Sequence, residues 1–170
     1  QKVGGGIQPV FAQQSIREMT RTGRTPRQVI DDAMWGAFEA GWHTGFGADA
    51  DHLKSPADVE SCAAAGFTFF TIDPGAHVED RAETASPEEL RELAADLPPE
   101  VQVKASGLKG KSFNIEGLGI KFDEAVLLKA AVKYGKAVAH VAGMYRHLEQ
   151  AAGSHPFELE VSVDETAQPT

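Results

Sequence analysis

Short apolar runs that end in polar residues, each followed by a stripe of helical period, recur along this chain. The first run, Ile7-Gln8-Pro9-Val10-Phe11-Ala12-Gln13-Gln14, leads into a polar loop and then Thr25-Pro26. Thr25 suits an N-cap, Pro26 the first helical position, and Gln28 completes a capping box. Val29, Ile30, Ala33, Met34, Ala37 and Phe38 then share one helical face, and Gly41 stops the helix. A second strand runs from Gly45 to His52. Ser55-Pro56 opens the next helix, which has Val59, Cys62 and Ala63 on its apolar face and Gly66 at its end. The third strand, Phe67 to Asp73, turns away at Pro74-Gly75, and Ser86-Pro87 starts a helix through about Ala95.

Strands alternating with capped helices predict parallel βαβ units. Residues 96–122 break the rhythm: Pro98-Pro99 and Gly107, Gly110, Gly117 and Gly119 predict an irregular insertion, as a short hairpin or loop. A long helix follows over 123–152, with Val126, Ala130, Tyr134, Val138, Val141, Tyr145 and Leu148 in one stripe. At 1.5 Å per residue it would run roughly 45 Å. The last strand is Phe157 to Glu165. A doubly wound sheet would carry G-x-G-x-x-G between strand and helix, and that signature is absent. The expected class is α/β, a (β/α)8 TIM-type barrel. Such a barrel needs about 250 residues, so this chain is expected to be a partial piece with about four strands, all of 1–170 belonging to one barrel domain. The opening at Gln1 without Met fits that reading of a fragment.

Charge and cysteine narrow the functional classes. A formal net charge of −9 over 170 residues disfavours nucleic-acid and acidic-membrane partners, although a locally basic site for an anion is compatible with it. Cys62 is the single cysteine, so no intrachain disulfide forms and a reducing, cytoplasmic setting is expected. No apolar run approaches the roughly 18 residues of a membrane span, and no signal peptide opens the chain.

Barrel enzymes gather chemistry at the C-terminal ends of their strands. Here those ends supply Gln13 and Gln14 with Glu18 beyond, then Asp49, Asp51 and His52, then Thr71 and Asp73, then Asp164 and Glu165. Carboxylates brought together without a cation repel and resist ionising. A divalent metal, or a proton-transfer role for some of them, resolves the conflict. Each residue also has a plainer reading. Asp49 and Asp51 share a strand face and could end as solvated caps. His52 is a metal ligand, a substrate donor, or simply a partner of nearby backbone. Asp73 before Pro74-Gly75 is ordinary turn chemistry. Alternation places Glu165 with Leu159, Val161 and Val163 on a buried face, where a carboxylate needs a partner such as a metal. Arg17, Arg21, Arg24 and Arg27 suit bidentate capture of a carboxylate, or salt bridges to Glu18, Asp31 and Asp32. His140, His147, Met19 and Cys62 read as packing or surface residues. C-x-x-C, H-E-x-x-H, G-x-S-x-G and P-loop patterns are all absent.

Five stretches resemble the tagaturonate epimerase family: Phe11 to Glu18, Arg21 to Thr25, Phe46 to Lys54, Gly66 to Thr68 with Phe70 to Pro74, and Glu160 to Thr166. The insertion at 96–120 matches it poorly. The resemblance implies a metal-dependent barrel enzyme that interconverts D-tagaturonate and D-fructuronate, with a small sugar acid as its partner. It implies Glu165 as a ligand of a divalent ion of the Zn, Mn or Ni kind, with histidine ligands beyond Thr170. It also implies Glu18 and Asp51 as proton-transfer residues. Gln14, Arg24, His52, Lys54, Thr71, Asp73 and Asp164 would then bind substrate. A metal-dependent sugar-acid aldolase or isomerase on the same barrel is the alternative, followed by a noncatalytic sugar-acid binding protein.

Overall fold

A computed structural model describes residues 7–164, 166 and 167, the side chains of 103–106 excepted. They form two compact units. One draws on the described residues up to Asp73 and on Gly143–Ser162, the other on Pro74–Ala142 and the described residues from Val163 onward.

The first unit is a four-stranded, wholly parallel sheet in the order β1 (Val10–Ser15), β2 (Gly47–Leu53), β3 (Phe69–Ile72) and β6 (Glu158–Val161). Two helices follow β1, α1 (Ile16–Thr22) and α2 (Pro26–Glu39), and α3 (Pro56–Ala65) connects β2 to β3. α2 packs on β1 and on α3, while α3 lies against β2. Alternation sorts most of the strand residues, although Thr71 and Ser15 on the other face are buried as well. Ala12, Ala48, Ala50, Phe70 and Ile72 are buried, together with Val59 and Cys62 of α3. Phe157, just before β6, meets Phe70 edge-on. Full burial of a residue such as Phe70 or Ile72 is worth about 1.5–3 kcal/mol. A one-residue slip would turn that whole set outward, so packing fixes the register. The opposite sheet face therefore carries Gln13, Asp49, Asp51, Thr71, Glu158 and Glu160, with Gln13 opposite Asp49, Ser15 opposite Asp51, and Thr71 opposite Glu160.

The second unit holds two 3₁₀ turns, Gly75–His77 and Asp80–Glu83, then α4 (Pro87–Ala95), α5 (Pro99–Ser106) and an antiparallel hairpin of β4 (Ser112–Ile115) and β5 (Leu118–Lys121). Glu116 and Gly117 both take positive φ, 52° and 87°, the geometry that a two-residue hairpin turn demands. α6 (Glu124–Ala152) contributes its residues up to Ala142 here. Ala82, Leu90 and Val132 form the core, with Leu93 and Leu128 packed against it. A Cβ on Gly135 would come within 2.9 Å of Leu97, so only glycine fits that approach without displacement. Lys133 is buried, and its ammonium donates to Glu83 at 2.6 Å.

Several expectations change, among them the irregular insertion at 96–122, which holds α5 as well as the hairpin. The polar loop expected after the first strand is α1, because Ser15 caps it and Glu18 closes a capping box four residues into a segment too short to show a periodic stripe. β1 starts at Val10, since Pro9 supplies no N–H for a ladder. The last strand ends at Val161, so Asp164 lies beyond its regular alternation. Val161 is exposed, and the buried face on which the case for Glu165 rested is not present there.

Candidate active site at the strand ends

β2 carries most of the polar groups, and its end is irregular. Ala50 pairs with Phe70 but Leu53 pairs with Ile72, so β2 holds one extra residue in a bulge. His52 absorbs it with φ of 54°, an unfavourable conformation for a residue with a Cβ. The bulge lets Asp51 and His52 meet side by side, with Asp51 Oδ1 2.6 Å from His52 Nδ1. A carboxylate only accepts, so Nδ1 carries the hydrogen and the ring lone pair is on Nε2.

β3 brings the next groups alongside. The Asp73 backbone N–H donates to Leu53 at 3.0 Å, holding the two strand ends together. Asp73 is buried, and its Oδ2 lies 2.9 Å from the Lys54 ammonium. His52 and Asp73 each present one donor atom within 4.8 Å of the other. An imidazole nitrogen and a carboxylate oxygen are donors that a divalent ion of the Zn, Mn or Ni kind accepts. Lys54 supplies a cation at Asp73 in the structure as it stands.

Behind this edge Thr71 is buried with its hydroxyl between two carboxylates, 2.8 Å from Glu160 Oε2 and 3.4 Å from Asp49 Oδ1. Asp49 titrates high. Burial, then the charges of Asp51 and Glu160, push its carboxyl up to about 6 against the opposing pull of Thr71 and His52.

Glu18 opens α1, where its Oε2 accepts from the Ser15 N–H at 2.9 Å and the Ser15 hydroxyl at 3.1 Å. The Ser15 N–H, then its hydroxyl, hold the Glu18 carboxyl below its usual range. Gln14 accepts from Arg24 Nη1 at 3.2 Å, and Arg24 also pairs with Asp32. Arg27 pairs with Asp31 at 2.9 Å. Asp164 is exposed, and Glu165 lies outside the described residues. The structure thus brings together Asp51, His52, Lys54 and Asp73, while Thr71 meets Asp49 and Glu160 and Glu18, Gln14 and Arg24 form their own contacts around α1. Sequence reasoning gave no role to Glu160, which alternation alone turns toward solvent. Only the pairing of β3 with β6 places it beside Thr71.

Parallel strands with intervening helices, and acids, an imidazole and an ammonium meeting at the strand C-termini, define an α/β protein with a polar cluster at its strand ends. A family model described as tagaturonate epimerase matches residues 3–170. The tagaturonate/fructuronate epimerase of Thermotoga maritima is 47% identical over 165 residues, which are 97% of this chain and 34% of that protein. The native crystal structure of fructuronate-tagaturonate epimerase from Cohnella laeviribosi superposes with a TM-score of 0.84 at 35% identity, over 99% of this chain and 35% of that one. A glycerol-complexed structure of the same enzyme gives 0.86 with the same identity and coverage. The chain belongs to the tagaturonate epimerase family. It spans about a third of the length of these relatives.

Proposed function

We propose that this chain carries part of the site of a metal-assisted epimerase that interconverts D-tagaturonate and D-fructuronate on a (β/α)8 barrel. The observation that carries the reading is the meeting of Asp51, His52, Lys54 and Asp73 at neighbouring parallel strand ends, in a chain that belongs to this family. Inverting a hydroxyl-bearing carbon requires a base, an acid and a counter-charge for an oxyanion. Asp51, oriented by His52, and Glu18 are the proposed proton-moving groups. Lys54, Arg24, Gln14, His52, Thr71, Asp73 and Asp164 are proposed to bind the hydroxyls and carboxylate of the sugar acid. Glu165, by its place in the family motif, and the His52–Asp73 pair, by its donor atoms, are the proposed holders of a divalent ion. Such an ion supplies Lewis acidity toward an oxygen of the substrate. The buried, reduced thiol of Cys62 supports a cytoplasmic setting.

The test uses full-length enzyme stripped with chelator and re-supplied with single divalent metals, then incubated with tagaturonate. Metal-dependent appearance of fructuronate without smaller fragments is the expected result. Fragments would show an aldolase, and no conversion with any metal would overturn the reading. Glu165→Gln is expected to lose bound metal together with turnover, and a fully active, metal-replete variant would remove Glu165 from the ligand set.

A further inference from the structure

Thr71 stands between two acids with a single hydroxyl hydrogen to offer. Its contact with Glu160 is 2.8 Å and its contact with Asp49 is 3.4 Å, so the hydrogen goes to Glu160. The remaining contact is then favourable in one arrangement, with Asp49 protonated and donating to the Thr71 oxygen. If Asp49 were ionised while Thr71 gave its hydrogen to Glu160, oxygen lone pairs would face each other on a half-buried sheet face. The chain of donation therefore runs from Asp49 to Thr71 to Glu160. Glu160 is the exposed member and keeps its charge in contact with water, whereas Asp49 is flanked by strands on both sides.

Resting on the epimerase reading above, we propose that Asp49 is a proton-holding acid of this site, kept loaded by the Thr71–Glu160 relay, and that it delivers a proton to the substrate. The step balances simply. The Asp49 O–H bond breaks, the proton goes to a substrate oxygen bearing developing negative charge, and Asp49 is left as a carboxylate. The Thr71 hydroxyl then turns its one hydrogen from Glu160 to Asp49 and stabilises the new anion. In the reverse direction the same rotation releases Asp49 to take a proton back. The groups bearing on Asp49 are Asp51 and His52 on its own strand and Glu160 beyond Thr71, while β1 presents Gln13 opposite it. Burial and the two acids raise the Asp49 carboxyl to about 6 even with the Thr71 hydroxyl drawing it down, and with that hydrogen given to Glu160 instead the protonated form is favoured further.

Two measurements on the full-length enzyme test this. Carboxyl-carbon NMR of aspartate-labelled protein, without substrate, follows the Asp49 titration, assigned by its loss in Asp49→Asn. The expected midpoint is at or above about 6. It should fall in Glu160→Gln, where the amide donates to Thr71 and frees the hydroxyl hydrogen for Asp49, while burial and Asp51 keep it above the ordinary value of about 4. A wild-type midpoint at the ordinary value overturns the proposal. The second measurement is kcat/KM for tagaturonate against pH. It should decline as pH rises through the Asp49 midpoint, with the decline beginning at lower pH in Glu160→Gln. A profile that Glu160→Gln leaves in place overturns the role as acid. Tagaturonate left unconverted by wild type would remove the substrate reading, and the carboxyl titration would then decide the state of Asp49 by itself.

Discussion

Asp51 and His52 are neighbours in sequence, yet they can meet only because the chain bulges between them and the end of β2. On a regular strand they would point to opposite faces. The left-handed φ of His52 is thus a local cost that places an imidazole against a carboxylate. Asp51→Asn exchanges an obligate acceptor for a group that can equally donate, which releases the tautomer of His52. Full-length enzyme carrying it is expected to lose about 10²- to 10⁴-fold in kcat, the usual worth of a positioned acid or base. Its circular dichroism should match wild type; a kcat within a few-fold would exclude Asp51 from proton transfer. A different acid shows how the second unit responds to pH. Lys129, then Lys133, hydrogen-bond the Glu83 carboxylate and draw it down to about 2. Its folded value lies below the unfolded value of about 4.3, so its stabilisation is complete above that value. It disappears as pH falls from about 4 toward 2. Acid unfolding monitored by circular dichroism should therefore begin at higher pH in Glu83→Gln, and an unchanged transition would show that the pair contributes nothing.

Among elements, the capping signals were the most legible part of the sequence. Thr25-Pro26, Ser55-Pro56 and Ser86-Pro87 each cap the helix that follows them. Those signals are local, a side chain bonding a backbone N–H three residues on, and so they survive without tertiary information. α1 escaped because seven residues, about two turns, give no hydrophobic period, although Ser15 and Glu18 were the same box in plain view. Glu18 consequently has two duties, a helix cap in the structure and a proton-transfer role in the proposal. Ser15→Ala separates them. It should lower stability by about 0.5–2 kcal/mol in denaturant titration, the typical cost of a lost N-cap. It should also raise the Glu18 titration part of the way, since the hydroxyl bond to the carboxylate is lost while the Ser15 N–H bond remains. A stability change without movement of Glu18 would show that the box is not formed in solution. The pairing of Thr71 with Glu160 belongs to this scale too. It depends on strand order, with β6 beside β3 across a long intervening segment, and nothing in either strand's own pattern specifies its neighbour.

For the molecule as a whole, one sheet presents two different edges of the same question. β2 and β3 have hydrogen-bonded neighbours on both sides, whereas within the described residues β1 and β6 are each paired on one side only. Val10 and Phe11 on β1 and Val161 on β6 are exposed, as are Trp35 and Phe38 on α2. Unpaired apolar edges invite association with other chains, and closing a sheet into a barrel removes them. The chain covers about a third of its relatives, which leaves room in such proteins for the strands and helices that closure requires. Amide hydrogen exchange on the full-length protein distinguishes the architectures. In a closed barrel every strand has two partners, so the outward amides of β1 and β6 should exchange as slowly as those of β2 and β3. In an open sheet, protection should fall off at β1 and β6 while the central strands stay protected. The outcome bears directly on chemistry. Closure would turn the face that carries Asp49, Asp51, Thr71 and Glu160 inward and strip water from it. Less water around Asp49 would hold its proton more firmly and strengthen its coupling to Glu160. An open sheet would leave that face wet, with the acids more screened from one another and the Asp49 titration no higher than the value of about 6 that it has in this four-stranded sheet.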